Sequence, residues 1–218
     1  MTDKRRIKQF FSAIVFIIIL ALGWKFPFLG FFIPFCMLIG LGIGLWHGRK
    51  WCDWYCPRGS FYDSLAANIS PKRKIPLIFR SIYFRIAILI ILMAAMSVNL
   101  IFRWPDAGRI GVFFVALLTA TTILGVILAI IFHQRAWCMI CPIGTIINLT
   151  GRDKKPLKIN SELCIDCGNC LKVCPMQLEP YKYKGKGIKI VGERDCLKCG
   201  SCVIACPGKA LFFEGNKE

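Results

Sequence analysis

This chain of 218 residues contains no nucleotide-binding fingerprint and no flavin-binding pattern, and it has only two histidines and 12 acidic residues against 29 basic ones. Any step specific to an organic substrate therefore falls to partner proteins. The long apolar runs hold no ionisable residue at mid-depth. Because intramembrane charges are costly and mark ion paths, this argues against a pump or channel acting through this chain alone. No basic stripe interleaved with aromatics stands apart from the apolar runs, so the formal net charge of +17 does not point to nucleic acid. No small-residue cleavage site follows the first apolar run, although Lys4, Arg5, Arg6 and Lys8 precede it. That run is expected to stay in the protein rather than leave as a signal peptide.

What is present is apolar surface: 56% of residues are hydrophobic. A helix needs about 20 apolar residues to cross a bilayer, and four stretches qualify, at about Ile7 to Trp24, Pro27 to Trp46, Tyr83 to Phe102 and Gly111 to Phe132. Lysine and arginine accumulate on the cytoplasmic side of membrane helices. The N-terminus is basic, and the loop from His47 to Ser81 carries Arg49, Lys50, Arg58, Lys72, Arg73, Lys74 and Arg80. The opposite side has only Lys25, Arg103 and Arg109. Both termini are therefore expected in the cytoplasm, with the chain passing several times through the cell inner membrane. Anionic lipid, as partner of these flanks, accounts for most of the positive charge.

Thirteen cysteines carry the chemistry. Eight form two copies of one pattern: Cys164, Cys167, Cys170 and Cys174 before Pro175, and Cys196, Cys199, Cys202 and Cys206 before Pro207. This C-x2-C-x2-C-x3-C-P run is that of bacterial two-cluster ferredoxins, in which the fourth cysteine of each run serves the other cluster. The expected sets are Cys164, Cys167, Cys170 and Cys206 for cluster I, and Cys196, Cys199, Cys202 and Cys174 for cluster II. Structural zinc would take four ligands in two separated pairs and has no use for the third cysteine or the proline. Disulfides would need an oxidising compartment, whereas clusters need free thiolates in a reducing one. A segment from about Pro156 to Gly215 is too small for a large apolar core, so the clusters would serve as one. Tyr181 to Val191 is expected to form a strand pair with a turn, and Ala210 to Glu214 another short strand.

The membrane part contains an internal repeat. His47-x-Arg49-x-Trp51-Cys52 is followed by Cys56-Pro57-x-Gly59, and His133-x-Arg135-x-Trp137-Cys138 by Cys141-Pro142-x-Gly144. Pseudo-two-fold packing of two helical hairpins would bring Cys52, Cys56, Cys138 and Cys141 together, and four thiolates can hold one further iron-sulfur cluster. Two separate sites, or a redox dithiol at the C-x2-C pair Cys138 and Cys141, are the alternatives. The prolines suit fresh helix starts, giving short interfacial helices over Gly59 to Ile69, with Phe61, Leu65 and Ile69 on one face, and Gly144 to Leu149. Cys36, alone in the second run, reads as an ordinary buried cysteine. His47 and His133 are candidates for metal ligation, for quinone or proton handling, or for structural support beside the thiolates. Haem is disfavoured because its histidines usually lie deeper in a bundle. Arg85, about one turn inside the third helix, is expected to snorkel to the interface.

Trp51-Cys52-x3-Cys56-Pro57-x-Gly59, its copy at Trp137 to Gly144 and the double ferredoxin pattern resemble the NapH-like membrane polyferredoxins. These are quinol-dehydrogenase-type components of periplasmic nitrate reduction, with relatives in NosR and MauN. Asp53 and Met139 stand where that family usually has glycine, and two rather than three residues separate Cys138 from Cys141. The resemblance implies electron exchange between a membrane donor, commonly quinol, and other redox proteins.

The expected architecture is a four-helix transmembrane domain of two repeated hairpins over residues 1–150, followed by a small α+β two-[4Fe-4S] ferredoxin domain over 151–218. The expected function is that of an electron-transfer subunit of an oxidoreductase, with two [4Fe-4S] clusters, a third iron-sulfur centre and a role for quinone. A redox-sensing or maturation protein using paired thiols, and a membrane anchor docking a ferredoxin to a larger complex, are the competing readings.

Overall fold

The computed structural model describes residues 3–151 and 154–213. Three helical stretches among them are long and apolar enough to cross a membrane: Pro27–His47, Ile82–Arg103 and Ala107–Ile131. The first of these is a 3-10 turn, Pro27–Phe31, running into helix α2, Phe32–His47; helices α6, Ile82–Arg103, and α7, Ala107–Ile131, are the other two. Their outer faces present Leu38, Ile90, Ile101 and Phe102 outward, as lipid-facing helices do. Inside α7 the hydroxyls of Thr119, Thr121 and Thr122 donate to carbonyls one turn back at 2.8, 2.7 and 2.6 Å, which satisfies them without water. Asp106 caps α7 by accepting from the Arg109 amide at 3.1 Å.

Helix α1, Asp3–Leu22, is 20 residues long, and the apolar run begins inside it. Its first turns are polar and not simply solvated, since Arg5 and Gln9 are buried. They reach into the loop after α2. There the chain folds into α3, Lys50–Trp54, then α4, Pro57–Phe61, which continues through a π-helical turn, Tyr62–Ala66, into α5, Ala67–Ile69. The matching segment after α7 forms α8, Ala136–Ile140, and α9, Pro142–Thr150. In both copies the proline after the second cysteine opens the new helix, where its missing N–H has no partner to lose. Of the expected apolar face, Leu65 and Ile69 are exposed while Phe61 packs against Phe16 and the core, beside buried Tyr62 and Ala66.

The remaining segment holds a three-stranded antiparallel sheet in the order β2-β1-β3, with β1 Leu157–Asn160, β2 Ile188–Ile190 and β3 Leu211–Phe213. Ile159 sits opposite Lys189 on one side and Leu211 on the other. Two short helices, α10 Asn169–Lys172 and α11 Ser201–Ile204, lie between the strands. The expected strand pair within Tyr181 to Val191 is corrected: β2 pairs with β1, and Pro180–Tyr183 is a 3-10 turn. Tyr181 to Tyr183 are wound into that turn, and Leu157 and Ile159, which alternate inward, pair with β2 instead. Within the expected strand Ala210 to Glu214, Glu214 lies outside the described residues.

Candidate functional site

The two ferredoxin-like runs fold alike. In Cys164 to Gly168, Asp166 and Gly168 take left-handed φ values of 55° and 70°; in Cys196 to Gly200, Lys198 and Gly200 take 55° and 78°. Two left-handed residues so close together curl each loop tightly around its thiols. The fourth cysteines match as well: the Leu178 amide donates to Cys174 Sγ at 3.4 Å and the Ala210 amide to Cys206 Sγ at 3.3 Å. Cys164, Cys167, Cys170 and Cys206 line one cavity. Cys174, Cys196, Cys199 and Cys202 line another. Among the described residues no three His, Cys, Asp or Glu side chains converge on a single metal ion. A multi-iron cage with one thiolate at each corner needs its ligands spread around a void, and the two cavities offer that donor set. Burial pushes the Cys196 thiol up to about 12 and the Cys174 thiol up to about 11, so each stays protonated at neutral pH unless a cation beside it compensates the lost hydration.

The membrane-side quartet is built by a reciprocal exchange between the repeats. Arg135 donates through Nη1 to the Cys52 carbonyl at 2.9 Å, and Arg49 donates through Nη2 to the Cys138 carbonyl at 2.8 Å. Each arginine of the His-x-Arg-x-Trp-Cys pattern thus holds the first cysteine of the other copy. Both guanidiniums are buried. The glycine of each Cys-Pro-x-Gly leaves them room: a Cβ on Gly59 would fall 2.6 Å from the Cys52 oxygen and 2.9 Å from Arg135 Nη1. On Gly144 it would fall 3.1 Å from the Cys138 oxygen and 3.2 Å from Arg49 Nη2.

Cys52, Cys56, Cys138 and Cys141 meet in one apolar core with Trp51 and Trp137. Burial pushes the Cys52 thiol up to about 12, opposed by Arg49 and reinforced by Cys56, Cys141 and Cys138. Cys56 rises to about 11 by burial, and Cys138 rises by burial against the pull of Arg135, whose Nη1 is 3.6 Å from its sulfur. Two buried and two half-buried thiols in one apolar core, with two guanidiniums beside them, offer the donor set of a cluster rather than that of a nucleophilic dithiol, whose thiolate would have to be favoured at neutral pH. Cys174 and Cys196 pack against this same core, whereas Cys164, Cys170, Cys202 and Cys206 belong to the core under the sheet.

The surrounding ion pairs were not foreseen from the sequence. Arg5 pairs with Asp53 at 2.5 Å, and Arg135 grips Asp63 at 2.5 and 2.7 Å. Arg85 does not snorkel: it is 2% exposed and binds both oxygens of Asp195, at 2.7 and 2.6 Å. Arg49 adds a third contact to Asp195 at 2.6 Å. Burial alone would raise the Asp195 carboxyl, yet the Arg85 hydrogen bonds and the Arg49 and Arg85 charges hold it below the usual carboxylate range. The available signal was acid placed where little acid occurs, at Asp53 and Asp63 in a basic loop and at Asp195 directly before a cysteine. The histidines part company. His47 is exposed, while His133 is buried, pushed down to about 4 by that burial, and accepts from the Arg135 amide at 3.2 Å. Their equal register therefore makes no matched ligand pair.

Residues 156–207 match the model of a 4Fe-4S dicluster domain, and residues 29–76 and 109–160 each match that of a 4Fe-4S binding domain. The chain thus carries 4Fe-4S signatures in both halves beside three helices apolar enough to cross a membrane, and in this it is similar to the NapH/MauN-like polyferredoxins. Its relatives include YccM of Escherichia coli (strain K12), named for electron transport, 29% identical over 60% of this chain and 42% of that protein. The uncharacterized protein MJ0749 of Methanocaldococcus jannaschii is 25% identical over 65% of this chain and 57% of its own length. The methylamine utilization ferredoxin-type protein MauN of Methylobacillus flagellatus is 25% identical over 60% of this chain and 50% of its own length. The chain spans about half the length of the curated relatives it matches. No solved structure matches it.

Proposed function

We propose that this chain is a membrane-bound electron carrier, acting as the electron-transfer subunit of an oxidoreductase. One [4Fe-4S] cluster is assigned to Cys164, Cys167, Cys170 and Cys206, a second to Cys196, Cys199, Cys202 and Cys174, and a further cluster to Cys52, Cys56, Cys138 and Cys141. Such clusters, when bound, supply one-electron exchange. The single observation that carries the reading is the shared core: Cys174 and Cys196 pack against the apolar cluster that contains the membrane quartet. The protein's own part is to hold the thiolates, to exclude water from them, and to neutralise their charge with Arg49 and Arg135. Relatives named for electron transport and as ferredoxin-type are in keeping with this role.

In this reading α1 is a fourth membrane span, the chain lies in the cell inner membrane, and both termini face the cytoplasm. The basic N-terminus and the basic loop between α2 and α6 favour that orientation. Electrons pass between a cytoplasmic or quinone donor or acceptor and a partner redox complex. The quinone part rests on an apolar cavity that reaches Cys56 and Cys141 and is lined by Met37, Met93, Leu117 and Arg58. Arg58 supplies a polar edge there, donating to Thr121 Oγ1 at 3.1 Å while its guanidinium lies 5.6 Å from the Trp137 ring.

The test is reoxidation of the reduced full-length protein by a short-chain quinone, under anaerobic conditions, in the wild type and in Cys52→Ser/Cys138→Ser. Fast reoxidation that is lost in the variant, with the ferredoxin centres still reducible, is the expected result. Unchanged reoxidation would favour an anchor that only docks a ferredoxin, and reversible disulfide formation at the quartet without extra iron would favour thiol sensing.

A further inference from the structure

The two repeats solve the same electrostatic problem with acids from different places. In the first, Arg5 near the start of α1 and Arg135 from the other repeat enclose Asp53 and Asp63; Arg5 also lies 3.7 Å from Asp63, and Arg135 3.6 Å from Asp53. Asp53 follows the first cysteine, and Asp63 lies four residues after Gly59. The corresponding positions of the second repeat hold Met139, after Cys138, and Asn148, four residues after Gly144. Its two arginines are nonetheless present. Arg85 near the start of α6 and Arg49 from the other repeat are both 2% exposed, and among the described residues neither pairs with a carboxylate of the membrane half. Two buried guanidiniums without a counter-charge would be strongly unfavourable.

We propose that Asp195 is a positioning residue that plugs this acid-free socket from the ferredoxin half, fixing the loop that begins at Cys196 against the membrane quartet. Both arginines of the socket and Asn148 converge on it. Arg49 Nη1 is 2.6 Å from Oδ1, Arg85 reaches both oxygens, and Asn148 Nδ2 donates to Oδ1 at 2.7 Å. Met139, in the place of Asp53, offers only its sulfur to Arg85 Nη2 at 3.4 Å. The link continues to the quartet, because the arginine that holds Asp195 through Nη1 holds the Cys138 carbonyl through Nη2. Cys196 is covalently next to the plug. Arg80 and Gln177 already tie the ferredoxin half to the loop before α6, and the three guanidinium contacts to one buried carboxylate fix the Cys196 loop within that arrangement. The absence of acid in the second repeat is therefore what fixes this loop: Asp63 fills its own socket, which leaves Arg5 only a hydroxyl of the ferredoxin half, Ser201 at 3.1 Å, and Asn148 leaves its socket open for Asp195. The orientation of cluster II rests on the electron-carrier reading above; the plug itself does not.

The experiment compares full-length wild type, Asp195→Asn, and Asn148→Asp/Asp195→Asn by amide hydrogen exchange over residues 193–199, with thermal stability and iron content read on the same samples. Asp195→Asn is expected to lose exchange protection there and to lower the melting temperature. The double variant is expected to regain melting temperature, because the carboxylate introduced on α9 neutralises both arginines from within the membrane half, while protection of 193–199 stays lost. Should Asp195→Asn fail to load iron, the double variant against wild type carries the same comparison. Unchanged protection in Asp195→Asn, or recovery of both protection and stability in the double variant, would overturn the proposal. Failure of the electron-carrier reading would appear separately, as absence of iron beyond the two ferredoxin centres in the wild type.

Discussion

The first repeat of the membrane half finds its counter-charges within that half and reaches the ferredoxin half there only by the Arg5 bond to Ser201 at 3.1 Å, whereas the second takes its counter-charge from the ferredoxin half. Arg135 and Arg5 find Asp63 and Asp53 within the membrane half, but Arg49 and Arg85 find Asp195, far along the chain from either. Both copies keep the features that build the thiol quartet: the crossed arginine-to-carbonyl bond, the tryptophan beside the first cysteine and the glycine that admits the guanidinium. What has diverged is the source of the counter-charge. The shared features belong to holding the quartet, and the divergent one to deciding what docks beside it.

The largest expected break in this comparison is Arg135→Met. It removes the hydrogen bonds to Asp63 and the Cys52 carbonyl and leaves buried carboxylates underpaired, which typically costs about 3–5 kcal/mol. A large fall in thermal stability in detergent is the expected reading, larger than for Arg49→Met, where Arg85 still holds Asp195. Gly59→Ala and Gly144→Ala sharpen the comparison at the next level. Crowding a packed core costs about 1–3 kcal/mol, and the tighter approach at Gly59 places its variant toward the upper end and that of Gly144 toward the lower. Chemical denaturation of the two variants side by side should give that order. Asp106→Ala, at the start of α7 and the other end of the bundle, should cost about 1 kcal/mol through its lost cap and leave iron content unchanged. Lys184→Ala removes an exposed pair with Asp166 on the ferredoxin surface and should leave the melting temperature where it is.

Much of this was legible in the sequence because ligand spacing and repeats are local. Cys164 to Cys174 and Cys196 to Cys206 announce their loops by residue spacing alone, and the paired Trp-Cys patterns announce two equivalent turns. The counter-charges were not legible, since nothing near Asp195 in sequence indicates Arg49 or Arg85. Arg85 was misread for a physical reason: an arginine one turn inside an apolar helix looks like an interfacial residue until a protein surface covers that interface. The strand pairing within Tyr181 to Val191 failed because alternation around glycine suggests a local hairpin. The stronger partner, Leu157 to Asn160, lay beyond the intervening cysteine loop.

Everything proposed for electron transfer hangs on Cys52, Cys56, Cys138 and Cys141 forming a metal centre beside the ferredoxin clusters. Iron and acid-labile sulfide per chain in anaerobically purified protein, with electron paramagnetic resonance of the reduced sample, test it most directly. About ten to twelve irons are expected, falling to about eight in Cys52→Ser/Cys138→Ser with the ferredoxin signals retained. About eight irons in the wild type, unchanged in the variant, would contradict it.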